Sequence, residues 1–263
     1  MNNSEELKWQ TGITKIEPNK ILLRGYPLDK LMGTITFSQA VYLALKGELP
    51  EEKIGKMIDA MLVASIDHGA TPPSALAART VASTGAPLNA ALATGILSIN
   101  KFHGGAIEDC MKALKQGLLK AQNENLSVQD AAVKLLLEFK EKKVKISGYG
   151  HRIHTNDPRT RKLFALSKEL GVAKDYVAMA EAIEEATAVT MSKKLPLNVD
   201  GAIGAILGDL GFEPEIANAF FIMARVPGLV AHIREEMTQM KPMRKIHPSL
   251  HEYSGHEERD LIN

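Results

Sequence analysis

The sequence has little of several features that would classify it at once. Its 263 residues include a single cysteine, Cys110, so an intrachain disulfide framework is excluded. Lysine and arginine number 32 against 31 acidic residues, which excludes a strongly basic nucleic-acid-binding surface and an acidic disordered tail. No apolar run approaches ~20 residues, so we expect no membrane span. The polar N-terminus lacks the apolar region of a secretory signal, and we therefore expect a cytoplasmic protein.

Aromatic residues are also scarce, at 5%, whereas alanine, leucine, isoleucine and methionine are abundant. Because good helix formers dominate, we predict a mostly α protein, with a small N-terminal β-hairpin that turns at Pro18 and Asn19. Periodicity and caps predict helices over 28–32, 37–46, 51–66, 73–84, 87–99, 105–122, 127–142, 158–170, 175–192, 201–210 and 213–240. The segment 87–99 is apolar almost all round, which predicts a central, buried helix. Pro227 is predicted to break the last segment.

Polar islands interrupt these apolar helices, and each has a structural and a functional interpretation. They are DHG at 67–69, HGG at 103–105, GYGHR at 148–152 with DPR at 157–159 and Arg161, NVDG at 198–201, and Arg225 within 220–230. His68 is either a capping residue or lies where glycine lets the backbone approach a ligand closely. His103 is either exposed on a glycine-rich turn or lies beside unpaired backbone N–H groups that favour negative charge.

The remaining islands carry most of the charge. The 148–161 region is either a basic surface turn or a loop whose glycines and cationic donors bind carboxylates. Asp200 is either the N-cap of the following helix or a general base held beside apolar walls. Arg225 lies in an apolar stretch and needs a counter-charge from the protein or from a ligand, and we favour a ligand.

Other kinds of site lack their motifs. The histidines do not have zinc-binding spacings, no GxSxG turn is present, and the glycine-rich loop lacks the GK[ST] ending of a P-loop. Cys110 falls in a helical pattern and is predicted to be an inert buried thiol. We therefore expect neither a metal nor a cofactor.

Taken in this order, the islands resemble the citrate synthase superfamily over about 25–253. RGYP at 24–27, Phe37 and GELP at 47–50 resemble the family's N-terminal signature, and the islands with ARVPG at 224–228 resemble the rest. The resemblance implies a citrate synthase-like helical bundle and a homodimer or higher homo-oligomer. It also implies one unit in which 1–145 and 201–263 form a large helical part and 146–200 a smaller CoA-side subdomain.

The subgroup is indicated by the short chain and by Gly201, which stands where citrate synthases usually carry an aromatic residue. The stretch 192–204 resembles the citryl-CoA lyase module at the C-terminus of ATP-citrate lyase. The resemblance thus implies cleavage of citryl-CoA to acetyl-CoA and oxaloacetate in the reductive TCA cycle, with a citryl-CoA synthetase as a partner. His103 favours the alternative, a short citrate synthase or 2-methylcitrate synthase, because animal ATP-citrate lyase lacks a histidine there. A non-catalytic metabolite-binding subunit is the third interpretation.

The resemblance also assigns roles to individual residues. His151 takes the proton of the substrate hydroxyl, His103 stabilises the enolate oxygen, and Asp200 exchanges a proton with the methylene carbon. Substrate carboxylates are assigned to His68, Arg152, Arg159, Arg161, Arg225 and Arg244, with Arg159 and Arg161 as alternatives for one role. His247 and Pro248 stand where the synthases carry an Arg-Pro pair, so either Arg244 takes the role of that arginine or the contact is lost. CoA is assigned to Gly148, Tyr149, Gly150, Lys193 and Lys194.

Overall fold

The structure is a computed structural model that describes residues 9–150, 156–191 and 194–260. Within these ranges the strands are β1 (Thr14–Glu17), β2 (Lys20–Leu23) and β3 (Tyr26–Pro27). The helices are α1 (Leu28–Leu31), α2 (Phe37–Lys46), α3 (Glu52–Ala64), α4 (Pro73–Ala82), α5 (Leu88–Leu97), α6 (Ala106–Asn123), α7 (Val128–Glu141), α8 (Pro158–Glu169), α9 (Asp175–Thr190), α10 (Val199–Asp209) and α11 (Pro214–Gln239), followed by a 3-10 turn at Pro248–Leu250. The predicted mostly α class is confirmed.

Local signals account for where the N-terminal elements begin and end. The predicted hairpin is confirmed: β1 and β2 pair antiparallel, and Asn19 takes the left-handed conformation in the turn, with φ 60°. The chain then adds β3, giving the sheet order β1-β2-β3. Helix α2 begins at a capping box, because Thr36 accepts a hydrogen bond from the Gln39 amide while the Gln39 side chain accepts one from the Thr36 amide. Gly47, with φ 88°, ends it.

Packing divides the chain into two compact units. The first holds the residues up to Asp67 and Asn100–Arg225, and the second holds His68–Ile99 and the residues from Val226 onward. The division predicted at 145 and 201 stays a prediction; within the first unit, α8 and α9 pack with α10, α6 and α7. Periodicity shows which face of a helix is apolar, but it does not show which helix covers that face.

The core of the first unit lies where α6 crosses α10. Ile107 and Met111 of α6 and Ile203 and Ile206 of α10 are buried there. Gly204 allows the close approach, since a Cβ at that position would lie 3.0 Å from the Ile107 carbonyl oxygen. The abundance of small residues in the sequence therefore reflects helix contacts of this kind.

The second unit packs α4 and α5 with the C-terminal part of α11. Its buried cluster consists of Ala75, Ala78, Ala82, Ala91, Leu229 and Ile233. The prediction that α5 is buried all round is wrong for a single copy of the chain, because Leu88 is exposed and Leu97 is 77% exposed. The helix buries only one side of its apolar surface within this unit.

Helix α11 continues from Pro214 to Gln239 with Pro227 inside it, so the predicted break at Pro227 is wrong. By length and composition alone, α11 is also the one described helix that could cross a membrane, which the sequence had not led us to expect. Its most apolar window is 44% buried in the structure. Since core helices of globular proteins pass the same test, this is weak evidence for a span.

Candidate active site

Asp200 lies in the first turn of α10 and does not cap it. The cap is Asn198, whose side-chain oxygen accepts a hydrogen bond from the Gly201 amide at 3.1 Å. The interpretation of Asp200 as the N-cap is therefore wrong, and its carboxyl group does not cap the start of the helix. Reading Asn198 as the cap places the start of α10 two residues before the predicted start.

The Asp200 carboxyl is surrounded by charged groups of the first unit. Burial raises its pKa above the ordinary aspartate value. The positive charges of Arg159 and Arg225 act to lower that pKa, while the negative charge of Asp157 adds to the rise. Because the loss of hydration prevails over two guanidinium groups, this carboxyl holds a proton to higher pH than an exposed aspartate does. A carboxylic acid of this kind is suited to donate a proton in a reaction.

Arg159 is held by Asp157, the N-cap of α8. Asp157 is buried, and its oxygens accept from the Arg159 amide at 2.9 Å, from Nε at 3.1 Å and from Nη2 at 2.8 Å. This bidentate ion pair fixes the orientation of the Arg159 guanidinium group. Arg161, by contrast, is exposed, and the described charges that act on Asp200 include Arg159 but not Arg161. Of the two alternatives, the structure thus brings Arg159 to Asp200.

Arg225 and His103 meet at one aromatic ring. Arg225 is buried in α11, its Nε donates to the Ser65 carbonyl oxygen at 3.0 Å, and its guanidinium carbon lies 4.6 Å from the centre of the Phe221 ring. The His103 ring contacts the same phenyl ring edge-on, with the centroids 5.7 Å apart. Phe221 therefore places a predicted catalytic histidine and a predicted carboxylate-binding arginine in one cluster.

Two acidic side chains of the first unit act on Arg225, but its burial prevails over them. Burial lowers its pKa, while the carboxylates of Asp67 and Asp200 raise it and the charge of Arg159 lowers it further. A ligand that supplies further counter-charge to this buried arginine therefore stays a prediction. The guanidinium group still lies among functional residues, and a carboxylate ligand would add to the attraction that the two aspartates supply.

The turn at His103 owes its glycines to the backbone. Gly104 has φ 84°, and a Cβ on Gly105 would lie 2.7 Å from the Lys101 Cα. The amide of His103 donates to the Asn100 carbonyl at 2.8 Å, which closes the turn just before α6. The expected row of unpaired N–H groups is shorter than predicted, because the Glu108 amide already donates to the Asn218 side chain at 3.1 Å.

The predicted CoA-binding loop at 148–150 is largely engaged with protein. The hydroxyl of Tyr149 is buried and donates to the Ala180 carbonyl at 3.0 Å, and burial raises its pKa well above the usual value. The Gly150 amide donates to the Pro196 carbonyl at 2.7 Å. The Tyr149 hydroxyl and the Gly150 amide therefore hold the loop in place, and the assignment of the loop to CoA stays a prediction.

The other predicted site residues divide as follows. His151, Arg152 and Lys193 lie outside the described residues. Lys194 is exposed in the first unit, His68 is exposed in the second, and Arg244 of the second unit pairs with Glu236 at 2.8 and 2.5 Å. Cys110 is fully buried as predicted, and burial raises the pKa of its thiol far above the usual range. Among the described residues, no group of three or more histidine, cysteine or acidic side chains is arranged to hold a metal ion.

Sequence reasoning missed Phe221 and Asp67 as members of this cluster. Phe221 precedes Arg225 by four residues, and residues at that spacing share one face of a helix, so the contact was open to prediction. Asp67 had no comparable signal, because it lies far from Arg225 in the sequence and acts on it only in the folded chain. Asp157 was part of a quoted motif, but its role in holding Arg159 was not foreseen.

The geometry and the fold agree with comparisons with known proteins. The profile of "Citrate synthase, C-terminal domain" matches residues 51–249, and the chain belongs to the citrate synthase family. It is similar in structure to the citryl-CoA lyase from Hydrogenobacter thermophilus, with 44% identity, a TM-score of 0.88, and coverage of 96% of this chain and 97% of that one.

Relatives known by sequence include both synthases and ATP-citrate enzymes. The glyoxysomal citrate synthase of Cucurbita maxima is 29% identical over 72% of this chain and 36% of its own length. The ATP-citrate synthase beta chain protein 1 of Oryza sativa subsp. japonica is 29% identical over 87% of this chain and 37% of its own length. The chain thus spans little more than a third of the length of these two relatives.

Proposed function

We propose that this chain is a citryl-CoA lyase, which cleaves citryl-CoA to acetyl-CoA and oxaloacetate. The observation that carries the proposal is the 44% identity to the citryl-CoA lyase from Hydrogenobacter thermophilus over nearly the whole of both chains. The cluster of Asp200, Arg159, Arg225 and His103 supports it, because each group has a task in breaking a carbon–carbon bond beside several carboxylates.

In the proposed cleavage, His151 accepts the proton of the tertiary hydroxyl as the carbonyl of oxaloacetate forms. The electrons of the breaking carbon–carbon bond pass to the thioester fragment, which leaves as the enolate of acetyl-CoA. His103 stabilises the negative charge on the enolate oxygen. Asp200, protonated beforehand, gives its proton to the methylene carbon, and the protons on His151 and Asp200 are then restored through solvent. Its raised pKa supports this role for Asp200.

The carboxylates of the substrate are assigned to the arginines. Asp157 orients Arg159, and Phe221 and the Ser65 carbonyl orient Arg225. Both guanidinium groups are therefore held in place before the substrate binds. We assign the CoA moiety to the 146–200 segment, with Lys193 and Lys194 facing its phosphates. The chemistry is acid–base throughout, and we propose that it requires neither a metal nor a cofactor.

The first experiment follows two reactions of the purified chain. One starts from citryl-CoA and follows acetyl-CoA and oxaloacetate, and the other starts from acetyl-CoA and oxaloacetate and follows free thiol. Rapid cleavage with little free thiol is the expected result. The Asp200→Ala variant should lose turnover while it still binds CoA thioesters, and normal turnover by that variant would refute the mechanism.

A citrate synthase or 2-methylcitrate synthase is the second candidate, and the presence of His103 in the cluster favours it. The two functions differ in the thioester, because a synthase hydrolyses it and releases free CoA. Rapid thiol release with citrate formation would therefore replace the lyase assignment. Silence in both reactions would instead favour a metabolite-binding subunit.

We further propose that the chain works as a homodimer or higher homo-oligomer in the cytoplasm, in the reductive TCA cycle, with a citryl-CoA synthetase supplying its substrate. The exposed apolar side chains of Leu88 and Leu97 on α5 and of Leu76 on α4 support the oligomer, because a second copy would bury them. Light scattering during size-exclusion chromatography measures the mass of the particle. A monomeric mass at micromolar concentration would contradict this part of the proposal.

A further inference from the structure

Asn198 makes three hydrogen bonds that join two separate parts of the first unit. Its side-chain oxygen accepts from the Gly201 amide at 3.1 Å, which caps α10. Its side-chain nitrogen donates to the Gly150 carbonyl at 3.0 Å, and its backbone amide donates to the Gly148 carbonyl at 3.0 Å. One amide side chain thus contacts both the helix that carries Asp200 and the glycine loop at 148–150.

The segment before Asn198 is itself anchored to α9. The Leu197 amide donates to the Glu184 carboxylate at 3.0 Å, and the Leu195 amide donates to the Thr187 hydroxyl at 3.0 Å. Because α9 holds this segment, Asn198 is a fixed point from which its side chain reaches the loop. The Gly150 carbonyl that it holds belongs to the peptide bond leading to His151, one of the predicted catalytic residues.

The loop that Asn198 holds covers the start of α10 closely. A Cβ on Gly148 would lie 2.9 Å from the Gly201 Cα and 2.5 Å from the Cys110 sulfur, and a Cβ on Gly201 would lie 2.5 Å from the Gly148 oxygen. Backbone is therefore packed against backbone beside Asp200, with no room for water between these atoms. The loop therefore covers part of the first turn of the helix, where Asp200 is half-buried.

We propose that Asn198 is a positioning residue of the active site. The nitrogen of its side-chain amide fixes the 148–150 loop against the first turn of α10, and so sets the position of Asp200 and limits the solvent that reaches it. The inference rests on the proposed function for its kinetic consequences. It goes beyond that function in separating two tasks of one side chain, because helix capping needs only the oxygen of Asn198 and loop positioning needs its nitrogen.

Two substitutions separate these tasks. Serine and aspartate cap helices as well as asparagine does, so Asn198→Ser and Asn198→Asp keep the acceptor for Gly201. Serine is too short to reach Gly150 as well, and aspartate sets a carboxylate oxygen against the Gly150 carbonyl oxygen. The control is Ser127→Ala, which removes the side-chain cap of α7, a helix that carries none of the predicted site residues.

We expect Asn198→Ser to lower kcat for citryl-CoA cleavage about tenfold with little change in KM, as a modest displacement of reacting groups does. Its Tm should stay close to that of the parent chain, whereas Ser127→Ala should lower Tm and leave kcat unchanged. The pKa of Asp200, followed by carbon-13 NMR of labelled aspartate carboxyls, should fall toward the ordinary value in Asn198→Ser as water enters.

The NMR measurement needs no substrate, so it separates this inference from the proposed function. If the parent chain does not cleave citryl-CoA, the proposed function fails, and the pKa of Asp200 in Asn198→Ser still decides the positioning role. An unchanged Asp200 pKa in Asn198→Ser would reduce Asn198 to a helix cap and overturn the inference, and a parental kcat in an active chain would do the same.

Discussion

Glu236 is the buried anion of the second unit, and replacing it with glutamine tests how that unit is held together. Its side chain is 1% exposed and accepts from Arg79 Nε at 2.8 Å and from Arg244 at 2.8 and 2.5 Å. Arg244 also anchors the segment that follows α11, because its backbone amide donates to the Ser83 hydroxyl at 3.0 Å. The carboxylate therefore joins α4, α11 and the segment that follows α11.

The magnitude follows from what the substitution leaves behind. The Glu236→Gln variant keeps the size of the side chain but leaves Arg79, whose side chain is 8% exposed, facing a neutral amide. Removing one partner of a buried ion pair costs about 3–5 kcal/mol of unfolding free energy. Glu235 still lies 3.0 Å from Arg79, and Arg244 can turn to solvent, so we expect the lower end, about 3 kcal/mol.

The matched control is Glu235→Gln. Glu235 is the preceding residue and pairs with the same arginine, but its side chain is 42% exposed. An exposed pair contributes about 0.2–1 kcal/mol, so the control should lose no more than that. Urea unfolding followed by circular dichroism measures both, at one fixed protein concentration because association adds to stability. The single tryptophan, Trp9, is exposed and is a poor probe of the core.

The pH dependence supplies a second check. Burial acts to raise the pKa of Glu236, but hydrogen bonds from Arg244 and Arg79 outweigh it, so the pKa is lowered overall. A lowered carboxyl pKa stabilises the folded state above the unfolded-state value of about 4.3, and this stabilisation is lost as pH falls through the folded-state pKa. The gap between the parent chain and Glu236→Gln should therefore narrow in acid. Equal losses for Glu236→Gln and Glu235→Gln at pH 7 would refute the reasoning.

Three further predictions concern the first unit. The folded-state pKa of Asp200 is raised, so its ionisation destabilises the parent chain as pH rises above the unfolded-state value of about 3.9. Asp200→Asn should therefore be more stable than the parent chain at pH 7 and equally stable below about pH 3.9. Lower stability of Asp200→Asn at pH 7 would contradict this. Gly201→Ala should lose about 1–3 kcal/mol of unfolding free energy, since its Cβ would lie 2.5 Å from the Gly148 oxygen. Gly55→Ala, which meets only the flexible Gln39 side chain, is its control, and equal losses would count against the close packing. Arg159→Lys should lower kcat/KM for citryl-CoA roughly tenfold, because lysine cannot form the two parallel hydrogen bonds that the guanidinium group makes. Arg161→Lys should keep the parental kcat/KM. The reverse order would assign the substrate carboxylate to Arg161.

The features that could be predicted are those that depend on neighbours in sequence. The hairpin at Pro18 and Asn19 and the capping box at Thr36 each arise within four residues, and both are present. The order of the polar islands identified the family because it is a property of the sequence itself. Phe221 belongs with these features, since its contact with Arg225 spans one helical turn.

The features that failed prediction depend on which elements meet. The apolar surface of α5 was visible in the sequence, but the exposure of Leu97 depends on what packs against that helix. The family resemblance assigned Tyr149 to CoA, which stays a prediction, but the sequence did not show that its hydroxyl donates to a carbonyl 31 residues away. Pro227 lies within α11 although its nitrogen has no hydrogen to donate to the helix.

The sequence alone therefore determined the family, the mostly α class and the identity of the chemical groups. The tertiary structure decided the state of those groups: the arginine that lies near Asp200, the partner of Arg244, and the residue that caps α10. Arg225 binds the Ser65 carbonyl across 160 residues, and it is one of the charges that act on Asp200. Hydration and charge depend on distance in space, and only the packing of distant segments sets those distances.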